Sequence, residues 1–349
     1  MFAVHTWAPG RTRIALAPMT PLARPWNRVV HVHLLHEGQY AALVDTGLPS
    51  SREPLMAALE HLGVSPSRVR RILLTGLGPA STGNLEVFPD VPVLSVSENG
   101  PQEACPEARR AASSERLVRA VAALSEVGAL SQEEGERAVE ALLDALFGGG
   151  GARRTVMGVR DGSLIAADSA RLEALSAPGS EEGSCVYHDS ASGDLYGGRA
   201  LVFDEHFPVL RIDDVIASFD RLSQLAPRRI LPLTGLLQED HRAAFRSLGL
   251  LVHGALSHLP YAFAGPTRAV DLARRDFGDG EGQPVALIAR TLRYEVLLDE
   301  LARSGVVERE GEGPLAVHHG GSAQGSRTAA LLAEVRARRA ARASGTGES

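Results

Sequence analysis

The chain has 349 residues, 44% of them hydrophobic, with 36 Gly and 20 Pro, which fits one large folded domain plus a smaller one and excludes a disordered chain. A net charge of -6, with no Lys among the 36 basic residues, excludes general attraction to nucleic acid or an anionic membrane and any Lys nucleophile or Schiff base. The two cysteines, Cys105 and Cys185, share no metal-type spacing, and no run approaches the ~18 apolar residues of a membrane span, so a reducing, cytoplasmic setting is expected.

At the N-terminus, Pro and Arg interrupt "MFAVHTWAPGRTRIALAP" before an apolar core of signal-peptide length can form. Residues 29–45, "VVHVHLLHEGQYAALVD", read as two short strands around the turn Glu37-Gly38-Gln39. Val30, Val32 and Leu34 alternate with His31 and His33, so the two histidines share a strand face. "SREPLMAALEHLG" (51–63) has the spacing of an amphipathic helix, with Ser50 or Ser51 as N-cap and Gly63 at its end. "RRILLTG" (70–76) and "VPVLSVS" (91–97) are buried strands. Strand, helix, strand, loop, strand is an α/β signature.

Residues 101–147 are rich in Ala, Glu, Arg and Leu. Leu117, Val121 and Leu124 recur at helical spacing, as do Val139, Leu142, Leu143 and Leu146, predicting an insertion of two or three helices closed by "GGGG" (148–151). Strands return between 155 and 202, with "DG" (161–162) and "SGD" (192–194) expected as hairpin turns. "DVIASFDRLSQLA" (214–226) is a helix and "RRILPL" a short strand. From about 241 the chain is helical again, and 291–319 reads as a helix, Gly305 and a two-stranded wing. The Gly/Ser/Ala/Arg-rich tail, 321–349, is expected to be flexible, with one helical stretch at "RTAALLAEVRARRAARA".

Five of these segments, in order, carry a resemblance. "ALVDTG" looks like the second-strand motif of the metallo-β-lactamase superfamily, "ILLTGLGPASTGN" like its metal loop LTHxHxDHxGG, and "LSAPGSEEGS" like the PGHTxGS turn. "GDLYGGRALV" is similar to LFSGDxL, and "RILPLTG" to ILPGHG. The resemblance covers about residues 25–240 and implies an αβ/βα four-layer sandwich, a fold of hydrolases that usually bind two metal ions.

Carried over position by position, the ligands are absent. Gly76 and Gly78 stand at the first two loop histidines, Ala80 at the Asp and Ser81 at the third His. Ser180 stands at the His of the PGH turn, Arg199 at the bridging Asp and Thr234 at the last His. Zinc needs imidazole, thiolate or carboxylate donors, which Gly and Ala lack and hydroxyls replace poorly. A permanent guanidinium cation between two dications would oppose their binding. The resemblance thus implies a vestigial pocket of Asp45, Thr75, Gly76, Gly78, Ala80, Ser81, Ser180, Arg199 and Thr234, without metal or other cofactor and without catalytic residues. Arg199 is expected to pair with Asp45.

Two rival chemistries compete with that reading. His31, His33 and His36 could form a replacement metal site, but two imidazoles on one face lack an evident third donor. Ser81, Ser180 or Thr234 could act as a metal-free nucleophile only with an oriented base, for which His188 or His206 would have to approach.

The expected organisation is a core of 1–100 and 148–245, the insertion 101–147, a winged-helix-like domain 246–320 and the tail. The C-terminal segment resembles the winged-helix cap of one branch of the superfamily. Its helix sets Arg290, Arg293 and Arg303 against Glu295, Asp299 and Glu300, a balance that argues against tracking phosphates. In the tail, Arg327, Arg336, Arg338, Arg339 and Arg342 outnumber Glu334 and Glu348, which could meet an acidic partner. The chain therefore reads as a non-catalytic binding or scaffolding subunit, partnered by itself or by an active paralogue, with no membrane or nucleic-acid partner and room for a small molecule in the vacated pocket. The alternative is an ester, thioester or phosphodiester hydrolase using relocated ligands or no metal.

Overall fold

A computed structural model describes residues 1–17, 29–97, 99–148, 153–168, 170–180, 183–202, 211–248, 266–278, 283–303 and 307–320. The chain divides into two compact units, one of Met1–Glu115 with Val139–His241 and one of Arg116–Ala138 with Arg242–Ser349. Among the described residues no helix is long and apolar enough to cross a membrane.

The first unit opens with a hairpin, β1 (Phe2–Ala8) and β2 (Arg11–Leu16), that the strand expectations above do not include. Its signal was the Pro9-Gly10 pair, a turn dipeptide between two runs of strand-forming residues. Gly10 takes φ +65, and a Cβ there would lie 2.7 Å from His36 O. The sheet continues through β3 (Val30–Leu35), β4 (Ala41–Val44), β5 (Val69–Leu73), β6 (Val93–Val96), β7 (Gln102–Ala104) and β8 (Arg154–Val159) in the order β1-β2-β3-β4-β5-β6-β8-β7. β4, β5, β6 and β8 run parallel. The β4–β5 connection carries α1 (Arg52–His61), whose Leu55, Ala58 and Leu59 pack with Ile14, Val32, Leu43 and Ile72 on one face of the sheet. Ser51 sits at the helix start, but its hydroxyl donates to Leu48 O and does not cap an amide.

The second sheet has the order β13-β12-β11-β10-β9, from β9 (Ser163–Ala167), β10 (Ala170–Ser176), β11 (Cys185–Asp189), β12 (Asp194–Gly198) and β13 (Arg229–Pro232). The turn at Gly193 joins β11 to β12 as expected. The Asp161-Gly162 turn does not make a hairpin, because β8 belongs to the first sheet and β9 to the second. There the Asp161 carboxylate accepts from Ser176 N and Arg221, and Gly162 N donates to Ala174 O, so the turn carries the chain between sheets.

Leu35, Ala42, Val44, Leu73 and Val96 of the first sheet pack against Leu172, Ala174, Tyr187, Tyr196 and Leu231 of the second. β12 and β13 are parallel neighbours, so their connection must cross a face of the sheet. α5 (Ile212–Gln224) lies in that connection and buries Ile212, Val215, Phe219 and Leu222. Two helices, two sheets and one shared interior give the αβ/βα sandwich.

The 101–147 segment contains two helices, α3 (Pro106–Glu126) and α4 (Gln132–Phe147), after the short β7. The residues read at helical spacing, Leu117, Val121, Leu124, Val139, Leu142 and Leu143, are buried. Gly135 lets the helices approach, since a Cβ there would lie 2.3 Å from Val121 Cγ1. The division into units falls within both helices: 116–138 groups with the C-terminal residues.

The second unit, taken by itself, holds that helical tip, the helix Ala269–Phe277, the helix Pro284–Arg303 and a hairpin of β14 (Val307–Glu310) and β15 (Val317–Gly320). Thr267 bridges His318 of β15, and Arg309 pairs with Asp299 at 3.0 Å. Gly305 and the Arg-rich tail from 321 lie outside the described residues.

Candidate functional site

Every residue of the expected pocket lies at or just beyond a strand end. Asp45 follows β4, Thr75, Gly76 and Gly78 follow β5, and Ala80 and Ser81 sit in α2 (Pro79–Thr82). Ser180 follows β10, Arg199 follows β12 and Thr234 follows β13. β10, β12 and β13 share one direction, as do β4 and β5, so these ends lie on one edge of each sheet. The edges meet: Cys185 N donates to Thr75 O at 2.9 Å, and His31 N donates to Leu233 O at 2.7 Å.

Asp45, 2% exposed, has φ 62, a left-handed conformation that Asp tolerates better than most residues. Its Oδ1 accepts from Thr75 N at 2.9 Å and its Oδ2 from Thr75 Oγ1 at 2.7 Å. Thr46 donates from both amide and hydroxyl to Ser81 O, and Asn84 Nδ2 donates to Thr46 O and Leu48 O. The loop that resembles a metal loop is therefore tied down by side-chain bonds to its backbone. Thr46 and Asn84 were not among the expected site residues, although "DTG" and "TGN" place both at turns where side chains bond locally.

The donor set does not fit a metal ion. The seven positions supply no imidazole, carboxylate or thiolate, and among the described residues no three His, Cys, Asp or Glu gather where they could hold one. One of the seven positions, Ala80, belongs to a buried apolar cluster with Val30, Leu48 and Leu233, and Leu146 from the last turn of α4 packs on that cluster. Thr234 Oγ1 is buried without a hydrogen-bond partner among the described residues. Arg199, which the resemblance sets at the bridging Asp, is half-buried.

The two other chemistries find little support in the geometry. His31 and His33 do share a face, with ring centroids 6.4 Å apart. But the His31 ring donates from Nδ1 to Pro232 O, and His33 stands edge-on to Tyr196 at 5.3 Å, while His36 lies beyond the strand end. Burial pulls the His31 imidazole down to about 4, against the pull of the Pro232 carbonyl and with Arg13 adding to it. Burial also lowers His33 well below its ordinary value, with His31 and Arg13 adding. Of the three hydroxyls, Ser180 Oγ meets Ser184 Oγ at 3.0 Å, and none is paired with a histidine among the described residues. His188 sits opposite Leu195 and Glu173, three residues along β11 from Cys185, hence about 10 Å away along the strand. His206 lies outside the described residues.

Solved structures share this architecture. A metallo-beta-lactamase family protein from Thermus thermophilus covers 90% of this chain and 100% of its own, at 23% identity and a TM-score of 0.64. A beta-lactamase domain protein from Burkholderia ambifaria covers 91% and 93%, at 17% identity and a TM-score of 0.61. No protein-family model matches the sequence, and no curated protein is significantly similar to it.

Proposed function

This chain has the metallo-β-lactamase fold, and we propose that it works without metals, as a non-catalytic binding or scaffolding subunit that contacts a protein partner through its strand-end face. The observation that carries the reading is the apolar cluster of Val30, Leu48, Ala80, Leu233 and Leu146 where a metal pocket would need donors. Without a bound cation there is no hydroxide of lowered pKa and no Lewis acid, so the chemistry usual for this fold has no residues here to run on. Asp45 serves instead to hold Thr75, a structural use of a residue type that elsewhere in the fold supports a metal.

The same face has features suited to contact. Val29, beside the Val30–Thr234 bridge, is 43% exposed, and Leu236, two residues past Thr234, is 76% exposed. Exposed apolar side chains around a packed centre, next to one Arg, have the composition of a protein interface core. The partner is a second copy of this chain or a paralogue that keeps its metals.

Two measurements test this. Elemental analysis after dialysis with zinc, iron and manganese should find less than about 0.1 ion per chain, and light scattering should show self-association that Leu236→Asp weakens or, for a paralogue partner, co-elution that the same change abolishes. One or two tightly held ions with ester, thioester or phosphodiester turnover would instead establish the hydrolase.

A further inference from the structure

The second unit contains a cavity of about 360 Å³, walled by α3, the helix Pro284–Arg303 and the segment 309–315. Its charged lining is Arg119, Glu126, Glu295, Asp299, Arg309 and Glu312, four acids against two arginines. Glu126 and Glu312 are exposed, whereas Glu295 is only 7% exposed. Neighbouring acids on the same helix are matched, Asp299 by Arg309 at 3.0 Å and Glu300 by Arg303. Glu295 is different: its Oε2 is buried with no hydrogen-bond partner among the described residues.

An unpaired carboxylate in such a place is costly unless a counter-charge arrives or the group takes up a proton. Burial raises the Glu295 carboxyl above its ordinary range; Arg116 opposes this, Asp299 adds to it, and Arg119 and Arg309 pull it back down. Gly313, φ +68, keeps the wall beside the other oxygen bare, since even a Cβ there would stand 3.9 Å from Oε1. The remaining lining, Ala122, Ala123, Pro314 and Leu315, is short and apolar.

We propose that this cavity is a binding site for a small aliphatic primary amine, its ammonium seated against Glu295 and its hydrocarbon stem against Ala122, Ala123, Pro314 and Leu315. A metal ion is a poorer match, because no three ligating side chains converge among the described residues. An ammonium needs only one close carboxylate plus a negative surround, and its three donors can also reach carbonyl oxygens of the wall. The volume, near the lower end of the ~300–1,000 Å³ of ligand pockets, gives ample room for an amine of a few carbon atoms. The site is separate from the strand-end face and stands whether or not that face has lost its metals.

The test uses the full-length protein and n-butylammonium chloride, with 1-butanol and sodium chloride at matched concentration and ionic strength. Butylammonium should give a saturable heat in calorimetry and raise the unfolding temperature by several degrees, and neither control should do so. Glu295→Gln, nearly the same shape without the charge, should weaken binding at least tenfold while the circular dichroism spectrum stays unchanged. Ala122→Trp, at an exposed wall position, should block entry with the carboxylate intact, so it decides the matter if the first variant does not fold. Butylammonium behaving as the controls do, or either folded variant binding as well as the parent, would overturn the assignment.

Discussion

Thr75 gives both its amide and its hydroxyl to Asp45, at 2.9 and 2.7 Å, so the two carboxylate oxygens each accept a bond from a single residue one strand over. Gly198 presses on the same threonine from the other sheet: with φ +50 it has no side chain, and a Cβ would fall 2.2 Å from Thr75 Oγ1. Asp45, Thr75 and Gly198 thereby join the two sheets at their strand-end edge.

Thr75→Val should cost about 2 kcal/mol, the value of a buried hydrogen bond to a charged acceptor, because the amide bond to Oδ1 survives. Asp45→Ala should cost more, about 3 kcal/mol, since it also strands a buried amide and puts at φ 62 a residue that tolerates the left-handed region less well than Asp. Asp45→Asn should fall between the parent and Asp45→Ala. Gly198→Ala should be the worst of the set, above about 3 kcal/mol, through backbone strain and overlap with Thr75. Urea unfolding of the four variants checks the ranking, and a Gly198→Ala protein as stable as the parent would contradict it.

Chelator should leave the fold alone. The residues that the resemblance sets at the ligand positions are small or hydroxylic, apart from one Arg, so they form no cluster of like charges for a cation to relieve. The unfolding temperature with and without EDTA is expected to agree within about a degree, and a drop of several degrees would reveal a metal that binds the native state.

Acid should weaken the first unit before its carboxylates titrate. The folded His31 titrates near 4, below the ordinary 6.5, so between those values the unfolded chain binds the extra proton and stability falls as pH falls. The contribution is fully present above pH 6.5 and lost toward pH 4. Between pH 7 and 5 the loss from His31 alone is about 2 kcal/mol, and His33 adds in the same direction. Denaturant curves at the two pH values measure it, and His31→Asn should flatten the dependence.

Leu146→Ala should destabilise by about 1–2 kcal/mol, since the side chain is partly buried against Val30, Leu48, Ala80 and Leu233. It should also leave metal content unchanged, because opening the cluster adds no donor. Zinc uptake by this variant would mean that Leu146 shields ligands from the metal.

By itself, the sequence determined most of the elements in their order along the chain and which side-chain donors the strand ends can offer. Alternation and helical spacing are local, and whether Gly76, Gly78, Ala80, Ser81, Ser180, Arg199 and Thr234 can hold zinc depends on residue type alone. One turn not read, Pro9-Gly10, and one misread, Asp161-Gly162, mark where this stops: a turn dipeptide states that the chain bends but not which sheet receives the next strand. Only the tertiary structure packed Leu146 on the cluster that holds Ala80, neutralised His31 by burial and left Glu295 Oε2 without a hydrogen-bond partner among the described residues. Those outcomes come from contacts between distant segments, and burial, which fixes a group's charge and the cost of leaving it unpaired, exists only once those segments have met.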